Sequence, residues 1–137
     1  MWIFLNDAFL SVVAQRDRPN HLLVRARLKG DIQRALKNTG SKFTVRHTPE
    51  HDYQYRAVVP RSVLTKAMAR AVASIKYGNF KASVVEADRE IAYTSVWSVM
   101  ADFADRREKL RHQDEPKSRR SEPETHAKPR KLRKGQR

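Results

Sequence analysis

The chain opens on two short apolar runs, residues 2–5 (WIFL) and 9–14 (FLSVVA), split by Asn6 and Asp7. Aromatic and β-branched side chains suit a pleated surface and Asn-Asp suits a turn, so the pattern predicts two consecutive strands. After the polar, proline-containing QRDRPNH, residues 21–29 alternate: Leu22, Val24, Ala26 and Leu28 share one face, and Arg25, Arg27 and Lys29 share the other. This is expected to be a third strand, paired with the second as a hairpin.

Gly30 interrupts the alternation, and Asp31 can cap a short helix whose apolar stripe is Ile32, Ala35 and Leu36. The helix should close at NTG, where Gly40 can turn left-handed. Residues 42–47 and 53–59 alternate again around TPEHD. Phe43 and Val45 oppose Lys42, Thr44 and Arg46, while Tyr53, Tyr55, Ala57 and Val59 oppose Gln54, Arg56 and Val58. Ser62 is expected to cap a helix over 62–75, with Leu64, Ala67, Met68, Ala71, Val72 and Ile75 inward. A longer helix is predicted over 86–110. Its inner face would be Ile91, Tyr93, Val96, Trp97, Met100, Phe103 and Ala104, and the aromatics Tyr77, Phe80, Tyr93 and Trp97 read as a seam locking this helix to the body, with a partner-binding patch as the alternative.

The order strand, strand, strand, helix, strand, strand, helix, helix predicts an α+β domain: an antiparallel sheet of about five strands with helices packed on one face. Residues 22–75 read β-α-β-β-α, most of a ferredoxin-like unit, with the N-terminal strands supplying the remaining edge. The domain is expected to span residues 1–110. Residues 111–137 hold three prolines, many charges and Leu132 as the sole sizeable aliphatic, so a disordered basic C-terminal tail is expected.

Charge changes this picture. There are 29 Lys and Arg against 15 Asp and Glu, a formal charge of +14. Residues 1–110 carry nineteen of these cations against eleven acids, so the basicity is not confined to the tail. A field of this sign attracts nucleic acid, but it also suits an acidic protein partner. The absence of cysteine excludes disulfides, thiolate nucleophiles and Cys-ligated zinc. No run approaches the roughly 18 apolar residues of a membrane-spanning helix, and the opening lacks the marks of a signal peptide. The expected location is the cytoplasm, without a membrane partner.

If helices cover one face of the sheet, the other carries Arg25, Arg27 and Lys29, joined by Lys42, Arg46 and Arg56 from neighbouring strands. Cations on adjacent strands repel unless something anionic compensates. A phosphate-tracking surface is one reading of these six residues, and a wet face balanced by nearby acids is the other. The aromatic-glycine pattern of RNA-recognition modules is absent, and Tyr53 and Tyr55 read as core residues with hydroxyls at the rim. His47, Glu50, His51 and Asp52 crowd one turn too closely to converge on an ion, so neither metal nor cofactor is expected. Asp88 and Glu90 suit the start of the last helix. No phosphate loop, nucleophile elbow or H-E-x-x-H pair occurs, so no catalytic residue is assigned. A small nuclease or hydrolase with scattered carboxylates stays the minority reading.

Several blocks in order, MWIFLNDAFLSVVA, LLVRARLKGDI, YQYRAVVPR, YGNFKASV and AYTSVWSVM, resemble a family of short bacterial and phage-borne proteins without an assigned activity. The resemblance covers about residues 1–101, and the basic tail extends past the family's usual length. It implies a phage or mobile-element setting, where small non-enzymatic proteins bind nucleic acid or obstruct a nucleoprotein machine. The reading is then a non-catalytic accessory protein that binds nucleic acid or a nucleoprotein complex through a basic sheet face and tail. The alternative is a protein–protein module, an inhibitor or adaptor, whose charge serves an acidic partner.

Overall fold

Alternating side chains build the five strands of one sheet within the first sixty residues. The computed structural model describes residues 1–114. Its strands are β1 (Trp2–Leu5), β2 (Ala8–Ala14), β3 (His21–Ala26), β4 (Arg46–His47) and β5 (Tyr55–Pro60), arranged in the antiparallel order β1-β2-β3-β5-β4. The helices are α1 (Asp31–Ala35), α2 (Arg61–Ala73) and α3 (Ala87–Asp114), with a single 3₁₀ turn at Lys81–Ser83. Met1–Val96 form one compact unit, and a second begins at Trp97.

Asn6 and Asp7 form the two-residue turn between β1 and β2, which pair from Leu5 opposite Ala8 to Trp2 opposite Ser11. Both β3 and β4 run antiparallel to β5, which lies between them, so β3-α1-β4 is a split β-α-β unit. β2 takes the remaining place beside β3. This is the expected α+β sheet, with the N-terminal strands completing its edge.

One face of the sheet is the core. Ala8, Leu10 and Val12 of β2, Val24 and Ala26 of β3, and Ala57 and Val59 of β5 pack against Ile32, Ala35 and Leu36 from α1 and its end, and against Val63, Leu64 and Ala67 of α2. Phe43 and Val45 also lie against it, although residues 42–45 form no strand. α2 starts directly after Pro60 without a Ser62 side-chain cap, and Val72 and Ile75 are exposed, so only its first two turns use the apolar stripe.

A buried ion cluster ties α3 to this core. Asp31 is 1% exposed. Its carboxylate accepts the Phe9 backbone N–H at 2.9 Å and two Arg89 guanidinium bonds at 3.0 and 3.2 Å, and it also pairs with Arg34. Arg89 bonds Glu86 as well, and the Tyr93 hydroxyl, which lies 3.3 Å from Arg89, donates to the Ala8 carbonyl at 3.0 Å. Burial works against the Arg89 charge, but the hydrogen bonds to Asp31, Tyr93 and Glu86 outweigh it and hold its pKa above the ordinary value. Burial also pushes the Tyr93 hydroxyl up, against the pull of Arg89. Asp31 is therefore no helix cap. Gly30, at φ 91°, occupies that position, and the carboxylate serves β2 and α3 instead.

The expected seam holds at Phe80 and Tyr93, whose rings stack at 5.8 Å, and is corrected for the rest of the α3 stripe. Tyr93 is 7% exposed, but Ile91, Val96, Trp97, Met100, Phe103 and Ala104 are all exposed. The helix also runs on through residues 111–114, which were expected to belong to the disordered tail; the rest of that tail, 115–137, lies outside the described residues. Met100 and Phe103 are 57% and 49% exposed, so replacing both by Gln is expected to leave the melting temperature nearly unchanged. Buried residues of these types would each cost about 2–5 kcal/mol on truncation, a loss that thermal denaturation resolves easily.

Candidate nucleic-acid interface

On the sheet face away from α1 and α2, strand registers fix which side chains are neighbours. Trp2 lies opposite Ser11, Ser11 opposite Arg25, Arg25 opposite Arg56, and Arg56 opposite Arg46. These five residues form one row crossing every strand, about 19 Å long at ~4.8 Å per strand. Val13, Leu23 and Val58 form a parallel apolar row on one side. Phe4 and Phe9, paired across β1 and β2 with ring centroids 4.7 Å apart, lie on the other. Tyr93 of α3 meets Phe4 edge-on at 5.0 Å and stacks on Phe80 at 5.8 Å, which covers that end of the face.

Tyr53 organises the arginines. The sequence places it in a strand beside Tyr55, but β5 begins at Tyr55, and the residues before it form a bend. Tyr55 packs against the core as expected, whereas Tyr53 folds onto the opposite face and is still only 8% exposed. Its ring lies 5.0 Å from the Arg25 guanidinium, 4.9 Å from that of Arg27 and 6.5 Å from the Phe9 ring. Its carbonyl accepts Arg56 Nε at 3.1 Å. Arg25 also donates from Nη2 to Ser11 Oγ at 2.7 Å, while its Nε is buried without a hydrogen-bond partner. The Tyr53 ring, shared by Arg25 and Arg27, and its carbonyl, which takes Arg56, thus hold side by side cations that would otherwise splay apart.

The six expected cations separate into three groups. Arg25, Arg46 and Arg56 share the row, and among the described residues no ion pair joins any of them to an acid. Arg27 lies past the end of β3, reaches the site through Tyr53 and pairs with Asp52 at 2.9 Å. Both members of that pair are more than half exposed, so it contributes little to stability. Lys29 and Lys42 are exposed in turn and irregular segments, outside the row. The strand expected over 21–29 stops at Ala26 because the chain must turn into Gly30, whose positive φ leads into α1. His47 stacks on Tyr55 at 4.9 Å, and His51 lies 3.6 Å from Glu50.

Arg46 is exposed and Arg25 and Arg56 are half-buried; guanidinium groups reaching the surface of a sheet can take phosphate oxygens, and the apolar rows beside them can accept sugars or bases. Among the described residues no helix is long and apolar enough to cross a membrane. No family model matches the chain, and neither a curated protein nor a solved structure matches it.

Proposed function

We propose that this protein binds nucleic acid, alone or within a nucleoprotein complex, as a non-catalytic cytoplasmic accessory factor. The observation that carries the reading is the row of Arg25, Arg56 and Arg46 on three adjacent strands of an open sheet face, with no acidic partner among the described residues. Like charges set directly opposite one another destabilise a sheet, and a polyanion laid across them reverses the sign of that term. The charge of +14 supplies a long-range field that draws the same ligand in.

The test is the salt dependence of binding to a short oligonucleotide, with the full chain compared with an Arg25→Gln, Arg46→Gln, Arg56→Gln triple variant. Each lost phosphate contact should make the slope of log affinity against log salt shallower by about 0.7 on a single strand and about 0.9 on a duplex. A total change of about 2 on a single strand, or just under about 3 on a duplex, is expected, with the circular dichroism spectrum unchanged. An unchanged slope in a folded variant would move the reading to an acidic protein partner, for which the same cations serve as a docking surface.

A further inference from the structure

The arginine row does not end in another charge. At the β1 edge it ends in Trp2, 64% exposed, on the same face and in the same register. At ~4.8 Å per strand, Trp2 stands about 10 Å from Arg25 and about 14 Å from Arg56 along the row. Its ring is not loosely placed. It meets Phe9 edge-on, with centroids 5.9 Å apart and planes at 77°, and Phe9 leans on Phe4. Beside the row run Val13 and Val58, also exposed. The face therefore combines a line of cations with a supported aromatic ring and an apolar flank.

We infer that the polyanion suited to this face is a single strand of nucleic acid, its phosphates over the arginines and a base stacked on Trp2. The inference rests on the reading of the row as a phosphate-binding surface and narrows it. A duplex offers a flat protein surface its phosphates and sugars, because its bases are already stacked on one another. Against it, Trp2 and the valines would lose water and gain no stacking partner. A single strand presents both backbone charge and free π faces, the pairing that sequence-tolerant single-strand sites use. Phe9 already restricts the Trp2 ring, so stacking a base on it costs less ordering than recruiting a mobile side chain. With its cations on the phosphates and Trp2 on a base face, the site discriminates strandedness more than sequence.

The experiment uses the full chain and four fluorescent or competing probes at one salt concentration: a twelve-residue oligo-dT, an oligo-U of equal length, a duplex of about twelve base pairs, and inorganic polyphosphate. The expected result is single-strand binding at least about tenfold tighter than duplex binding. Trp2→Ala should reduce affinity for oligo-dT or oligo-U about tenfold or more while leaving polyphosphate affinity unchanged. Trp2→Phe should restore part of the loss, which separates stacking from any effect on folding. Preference for oligo-U or for oligo-dT names the sugar, and either supports the inference. Equal binding of duplex and single strand, insensitive to Trp2→Ala, overturns the inference and leaves the phosphate-binding reading standing. Failure of the unaltered chain to bind any of the four probes overturns both.

Discussion

Arg89→Ala is expected to remove about 3 kcal/mol of folding stability, the lower end of what breaking a buried ion pair costs, because Arg34 remains as a partner of Asp31. Asp31 would remain at 1% exposure with the Phe9 N–H and the half-exposed Arg34 as its partners, having lost the two bonds that Arg89 supplies from inside. The Tyr93 hydroxyl would lose a neighbour in the same stroke. Against the 5–15 kcal/mol of a typical domain this is a large fraction, so urea denaturation should show a plainly lowered midpoint. Arg89→Lys keeps the charge but lacks the planar fork that bonds both Asp31 oxygens, so it should recover only part of the loss. A full-strength Arg89→Ala protein would show that the cluster merely decorates the start of α3.

Tyr53→Ala is expected to cost about 3 kcal/mol or more, because an almost fully buried ring disappears from between Phe9 and two guanidinium groups. The Arg56 bond to the Tyr53 carbonyl does not depend on the side chain, so Arg56 should hold its place. Arg25 and Arg27 lose their shared platform, and oligonucleotide affinity should fall by more than either single Arg→Gln change produces. Tyr53→Phe keeps the ring face and should preserve both stability and binding. Equal damage from Phe and Ala would mean that the hydroxyl, rather than the ring, does the organising.

The row itself was legible because it lies inside strands. Arg25, Arg46 and Arg56 each sit in a run where alternation holds, and Val24, Val45 and Ala57 beside them are apolar enough to fix which side faces the core. Arg27 and Lys29 obey the same alternation on paper. They miss the row because the backbone leaves the sheet before the side-chain pattern ends, and periodicity carries no information about hydrogen-bond registry. Tyr53 departs from its expected face for the same reason at the other end of a strand, where the bend over residues 51–53 precedes β5. The Asp31–Arg89 contact had no local signal at all, since 58 residues separate its members. The apolar stripe of α3 correctly predicted a helix, but amphipathic spacing says only that a helix has an apolar side.

The cross-strand row also constrains how this surface can vary. Neighbouring positions in β3 serve opposite purposes: Arg25 belongs to the open face, and Val24 and Ala26 on either side of it belong to the interior. Inserting or deleting one residue between His21 and Arg25 would exchange the two sets, burying a guanidinium and presenting aliphatic groups to water. The ligand-facing chemistry is thus locked to the hydrophobic interior by a single phase along the strand. Point substitutions can tune its charge gradually, whereas a length change within β3 alters surface and interior together unless a bulge absorbs it.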